Sequence, residues 1–194
     1  MKREITAADI LPLEDYERIR DGKRRAIREI KANRRVAVGP YATFYFENYD
    51  TMWLQVQEML RIEKGGAAQL ADELAAYNPM VPKGNELTAT VMFEIENPER
   101  RQQVLSRLGG VEDMMELRCG AEIVRGETER DLEYSTPHGK VSAVLFLHFR
   151  FAPGQAEKFF APASEIALAV THAEYSHIAI LPAAVKAELA KDVL

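Results

Sequence analysis

The chain of 194 residues has a single cysteine, Cys119. No internal disulfide can form, which fits a reducing compartment and argues against a Cys-based zinc or iron–sulfur site within one chain. Long apolar runs are also missing. The longest near-apolar stretches, such as Ile178 to Val185, fall far below the roughly 18 residues of a membrane span. The opening Met1-Lys2-Arg3-Glu4-Ile5-Thr6 leads into alternating polar and apolar residues, not the apolar core of a secretory signal. A cytoplasmic protein with no membrane segment is therefore expected. Nucleotide-binding glycine loops, the GxSxG elbow, HExxH, CxxC and the EF-hand loop are all absent, which removes the common nucleotide, hydrolase and zinc chemistries. No repeat of 20 to 50 residues and no Ser-, Pro- or Gly-rich linker divides the sequence, so one domain over residues 1–194 is expected.

What is present is an ordinary globular composition, 47% hydrophobic and 28% charged. A chain of this size buries roughly 70% of the surface its unfolded form exposes, enough to need no staple. The net charge of −5 is unevenly distributed. Residues 1–35 carry 11 basic and 7 acidic side chains, net +4, and the remainder carry 14 and 23, net −9.

Periodicity assigns the elements. Tyr16, Ile19, Ala26, Ile27 and Ile30 share one arc of a helix from Glu14 to Asn33, and Arg20, Arg24, Arg28, Lys31 and Arg35 form a basic stripe beside it. Val36–Val38, the turn Gly39-Pro40 and Tyr41–Glu47 read as a hairpin. A helix capped by Asn48 or Asp50 runs to Lys64, and another spans Ala67 to Tyr77 before Asn78-Pro79-Met80-Val81-Pro82 ends it. Leu87–Ile95 alternates as a strand, and Asn97 with Pro98 opens a short helix closed by Gly109-Gly110. Further strands are expected at Met114–Cys119, Glu122–Arg125, Thr128–Ser135, Lys140–Phe151 and Glu165–Thr171. Helices are expected from Pro153 to Phe160 and after Pro182. The strand through Glu127, Glu129, Asp131 and Glu133 has one acidic face, which marks an edge, and His138 falls in the turn after it. The fold class expected is α+β, a mostly antiparallel sheet with N-terminal helices packed against it.

Several groups have the composition of a site. Glu47, Asn48, Asp50, Gln57, Glu58 and Glu63, with Gln55 and Arg61, form the densest polar constellation beside apolar residues. Carboxylates grouped in this way serve a cation or general-base chemistry, and amides fix a substrate. The competing reading is helix caps and routine surface pairs. Convergence of Glu47, Glu58 and Glu63 in one cavity would favour a site, and dispersal an interaction surface. Lys23 and Glu63 fall on arcs that should be dry, so each is expected to meet an opposite charge, which could be the other of the two, or to line a cavity, the alternative being a Lys23 that reaches water along its stem. His172 and His177 flank a short turn and with Glu174 would make a two-histidine, one-carboxylate set, but loop histidines are the weightier reading and no metal is assigned. His148 lies mid-strand beside Val144 and Phe146. The basic stripe suits phosphates, but with the rest of the chain acidic a solvated face is favoured over nucleic acid.

Phe46-Glu47-Asn48-Tyr49-Asp50-Thr51 running into Gln55–Glu63, then Ala76–Pro82, then Val111-Glu112-Asp113 leading to Glu116-Leu117-Arg118, carry a resemblance. Together with Ile5–Ile10 and His148–Phe151 they make nearly the whole chain similar to domain-of-unknown-function family 3501. The resemblance implies a small cytoplasmic protein encoded beside a rubrerythrin and a heterodisulfide-reductase-like iron–sulfur oxidoreductase. It therefore implies an accessory or regulatory role, through a protein partner, in redox or oxidative-stress physiology. Carried over by position, Glu47, Asn48, Asp50, Thr51, Gln57, Glu58, Tyr77, Asn78 and Pro79 match the family pattern. Tyr49 stands where that pattern has an arginine, which puts an anion-binding role there in question. Three functions are thus carried forward: a redox accessory protein, a metal-dependent or carboxylate-based enzyme or small-ligand binder using Glu47, Glu58 and Glu63 or the late histidines His172 and His177, and nucleic-acid binding through the first helix. A homo-oligomer is compatible with each, and no cofactor is identified.

Overall fold

The computed structural model describes residues 2–128, 134–135 and 139–194. Its strands are β1 (Arg35–Val38), β2 (Ala42–Glu47), β3 (Glu86–Phe93), β4 (Met115–Cys119), β5 (Glu122–Thr128), β6 (Val144–Arg150), β7 (Ala167–His172) and β8 (Tyr175–Ile180). Helices are α1 (Leu13–Ala32), α2 (Tyr49–Glu63), α3 (Gly66–Tyr77), α4 (Pro98–Leu105), α5 (Gln155–Phe159) and α6 (Ala183–Val193). The strands form one antiparallel sheet in the order β1-β2-β3-β6-β5-β4-β7-β8. It curls until its two end strands approach. The Tyr175 hydroxyl of β8 donates to the Val38 carbonyl of β1 and accepts from the Tyr41 and Ala42 amides, leaving a nearly closed barrel.

Period-2 alternation sorts the side chains. Phe44, Phe46, Leu87, Ala89, Val91, Leu145, Leu147 and Phe149 point inward, where they meet Met115, Leu117, Leu168 and Val170. Val185, Leu189 and Val193 of α6 join this core. Outside the wall, α1, α2 and α3 build a second core of Tyr16, Met52, Trp53 and Val56 with Ile5, Met80 and Val81, against which Phe146 packs from the outward face of β6. The expectation of an α+β antiparallel sheet holds, but helices are not confined to the N-terminal part. Helices α4 to α6 are interspersed among the later strands and α6 packs into the main core.

Other differences have local causes. The stretch from Glu122 to Thr128 is one strand through Gly126, not two. Most of the expected Thr128–Ser135 strand, its acidic residues beyond Thr128, and His138 lie outside the described residues. The stretch at Tyr175–Ile180 is a strand that alternation alone did not reveal, and its hairpin turn is Ala173-Glu174. Among the described residues no helix is long and apolar enough to cross a membrane.

Candidate functional site

Glu47 is the last residue of β2, opposite Thr88 of β3. Because Ala42, Phe44 and Phe46 point inward, Glu47 and Tyr45 point outward beneath the helix layer. Two devices fix this corner. Asn48 caps α2: its Oδ1 accepts from the Thr51 amide at 3.0 Å while the Thr51 hydroxyl accepts from the Asn48 amide at 2.9 Å. Below it, the buried Arg34 guanidinium donates to the carbonyls of Phe46 (3.0 Å) and Glu47 (2.9 Å) and is neutralised by an ion pair to Asp192 of α6.

The carboxylate this corner presents is 5% exposed. Its Oε1 accepts from the Thr90 hydroxyl at 2.9 Å, and its Oε2 is buried with no hydrogen-bond partner among the described residues. Glu47 lines a cavity of about 420 Å³ between the sheet and the helices. Met52, Met92, Val144 and Phe146 supply apolar walls, Tyr45 and Tyr77 aromatic ones, and Gln55, Thr90 and Lys31 polar groups. Gln55 Nε2 donates weakly to the Tyr77 hydroxyl at 3.4 Å, and the Tyr45 hydroxyl is committed to Glu94 at 2.9 Å. Glu112 Oε2 and Asp192 Oδ1 are also buried without a partner, but Asp192 already holds Arg34.

Of the candidate residues from sequence, the structure brings Glu47, Gln55 and Tyr77 to one cavity and sends the others elsewhere. Asn48 is a cap. Asp50 is exposed in the first turn of α2, where its charge suits the helix dipole. Gln57 is buried, its Nε2 at 3.5 Å from the Leu11 carbonyl. Glu58 receives Arg20 through two bonds at 2.7 and 2.8 Å and the Tyr16 hydroxyl. That arginine, with the tyrosine, holds its carboxyl at about 2 against burial, and burial with the Glu58 charge pushes the Tyr16 phenol upward. Glu63 is exposed and accepts from Gln69 at 3.2 Å. Asn78 pins the N-terminal segment by bonding both the amide and the carbonyl of Ile5, at 2.8 and 2.9 Å. Its groove, shared with Leu74, Pro79 and Lys83, therefore has its amide consumed.

Lys23 and Glu63 do not pair. Lys23 is exposed with its ammonium 5.2 Å from the centre of the Trp53 ring, so a cation–π contact and solvent satisfy it. His172 is used up structurally, with Nδ1 accepting from the Glu174 amide at 3.2 Å and Nε2 at 3.3 Å from the Gly109 carbonyl. The His177 ring stands edge-on to Tyr175 at 4.5 Å. Among the described residues no group of three or more histidines, cysteines or carboxylates is placed to hold a metal ion. His148 Nδ1 lies 3.0 Å from Glu86, which Arg150 also approaches at 3.3 Å. Burial opposes ionisation of Glu86, but the hydrogen bond from His148 with the Arg150 charge outweighs it and its carboxyl lies below the usual range.

Tyr45, Met52, Thr90, Met92, Val144 and Phe146 complete the cavity without having been named as site residues from sequence, and Lys31 was named only within the basic stripe. The alternation of β2, β3 and β6 puts Tyr45, Thr90, Met92, Val144 and Phe146 on one face. What it does not say is that helices cover that face.

The family described as "Protein of unknown function (DUF3501)" matches residues 4–193. A crystal structure titled as a novel protein of unknown function from Burkholderia pseudomallei K96243 is similar at 33% identity, with a TM-score of 0.89 over 98% of this chain and 99% of that one. No curated protein matches.

Proposed function

The chain belongs to the DUF3501 family, and from that premise we propose that it binds a small organic ligand in the cavity at the end of β2, with Glu47 as the polar anchor. The observation that carries this reading is the Glu47 carboxylate, nearly fully buried with Oε2 unpartnered, on the wall of a cavity otherwise mostly apolar and aromatic. A buried carboxylate oxygen without a donor is costly, and the cost is offset when a ligand brings the donor. The volume of about 420 Å³ lies at the small-metabolite end of ligand pockets. A ligand with an N–H donor and an apolar body suits these walls. Calorimetric titration with phenethylamine, protonated at pH 7, tests it. Binding that Glu47→Gln weakens about tenfold is expected. No binding, or equal binding by the variant, overturns the reading.

A second reading is the accessory role in a redox system through a protein partner, the role that the resemblance of the sequence implies. It is supported by the outward face of the other half of the sheet, where Ile123, Ile178 and Ile180 are 46%, 58% and 50% exposed. The registers Ile178↔Ala169, Ile180↔Ala167, Ala167↔Arg118 and Arg118↔Ile123 put all three on one face. Affinity capture from native extract is expected to enrich an iron–sulfur or rubrerythrin-like protein, and Ile178→Asp to abolish it. Absence of any such enrichment counts against this role.

A further inference from the structure

We infer that the ligand of the Glu47 cavity is a zwitterion, an amine that also bears an acid group, with Lys31 receiving the acid. This rests on the ligand-binding reading and adds the ligand's charge pattern to it. Lys31 lies in the last turn of α1 and lines the same cavity as Glu47. Its ammonium has no carboxylate partner within 4.0 Å among the described residues, and neither does Glu47 have a cation, so the two opposite charges face one cavity unpaired.

The ion pairs of the helix layer, Arg18 with Asp15, Arg20 with Glu58 and Arg61 with Glu17, involve no residue that lines the cavity. A half-buried lysine and a buried glutamate lining one cavity would gain by pairing directly if the walls allowed it. Unpaired with each other, each is instead open to a ligand group of opposite sign. An amine alone would satisfy Glu47 and leave Lys31 unused. An acid alone would place a second anion near Glu47. A molecule with both charges satisfies each end, and the methionines, Val144 and Phe146 contact the body between or beside them.

Phenethylamine is the reference probe because two molecules add one carboxylate to it at different places. L-Phenylalanine places that carboxylate next to the amine, and 4-(2-aminoethyl)benzoate places it across the ring. At pH 7 and low salt, at least one of these is expected to bind about tenfold tighter than phenethylamine. Lys31→Met is expected to remove that gain, bringing each zwitterion to within about twofold of phenethylamine measured on the same variant. The inference is overturned if neither zwitterion gains over phenethylamine, or if the gain survives Lys31→Met, with the binding of phenethylamine itself keeping the pocket reading intact. Failure of all three probes overturns both. Circular dichroism and the unfolding midpoint of Lys31→Met establish that it is folded, and Lys31→Arg, which keeps the charge, is expected to retain most of the gain.

Discussion

The Tyr175 hydroxyl donates to the Val38 carbonyl at 2.7 Å and accepts from the Tyr41 and Ala42 amides at 2.9 Å each. These two residues belong to β8 and β1, the ends of the strand order. One phenolic oxygen thus ties the hairpin between β1 and β2 to the far end of the sheet. Tyr175→Phe keeps the ring, with its edge contacts to Phe93 and His177, and deletes only that oxygen. The loss is expected to cost about 1–3 kcal/mol, since buried backbone groups lose their partner. Urea unfolding should show a lower midpoint at an unchanged slope. An unchanged midpoint would mean that the closure does not depend on this oxygen.

Gly39 sits in the turn that Tyr175 secures, with φ of +70°, and a Cβ there would lie 2.4 Å from Cδ2 of His177. Gly39→Ala therefore meets both a left-handed backbone and a ring. A loss of at least about 1 kcal/mol is expected. The double variant Gly39→Ala, His177→Ala separates the ring from the rest: it should recover the share due to the ring and leave that of the backbone and of the Tyr175 hydroxyl, which the Cβ would approach to 2.8 Å. Full recovery would show that the backbone conformation costs nothing here.

Only one side of this closure could be anticipated, and the reason is physical. The hairpin of β1 and β2 was legible because Ala42, Phe44 and Phe46 alternate with polar residues and Gly39-Pro40 punctuates the turn. β8 was not, because Ile178, Ala179 and Ile180 are consecutive apolar residues on a strand that is mostly exposed, so no dry face shows in the pattern. At the site, Glu47 and Gln55 were legible as members of a polar constellation beside apolar residues, and Tyr77 only through the resemblance to the family. Lys31 was hidden within the stripe of Arg20, Arg24, Arg28 and Arg35, because the sequence does not say which cation of a stripe turns toward the sheet. Thr90 and Met92 were hidden because an outward strand face reads as solvated until a helix layer is known to cover it. Glu58 drew attention for its charge, and its chemistry proved to be structural.

Glu58 makes acid sensitivity specific. Its carboxyl is held at about 2, below its ordinary 4.5, chiefly by Arg20. A depressed carboxyl contributes stability that is fully present above the unfolded-state value and is lost as pH falls from about 4.5 toward 2. Unfolding free energy should therefore decline across that window as α1 loosens from α2. In Glu58→Gln the curve should be lower near pH 7 and flatter below 4.5. A parallel decline in both proteins would assign the acid sensitivity to other carboxylates.

The buried pair beneath the site supplies a fourth stability test. Arg34 bonds the carbonyls of Phe46 and Glu47 and holds Asp192 in the core. Arg34→Met strands that carboxylate, so a loss of about 3–5 kcal/mol is expected. Asp192→Leu added to it should recover part of the loss by removing the stranded charge. The double variant should still bind phenethylamine more weakly than the native chain, because the carbonyls that fix Glu47 have lost their donor. Native-like binding by the double variant would show that Arg34 serves the fold and not the geometry of the cavity.

Glu47 should carry the opposite sign from these. A residue retained for the fold destabilises when removed. A buried carboxylate with one unpartnered oxygen in a cavity lined by methionines and phenylalanine burdens the empty fold. Glu47→Met removes that burden at similar volume, and the only bond it deletes among the described residues is the one from Thr90. The balance of a relieved buried charge, worth several kcal/mol, against one hydrogen bond of about 1 kcal/mol favours the variant. Its Tm is expected to rise by roughly 2–4 °C for each kcal/mol gained, further with Thr90→Val, while phenethylamine binding is lost. Stability gained with binding lost is the signature of a group kept for what it holds. A fall in Tm would instead make Glu47 part of the scaffold and remove the main support for a ligand site.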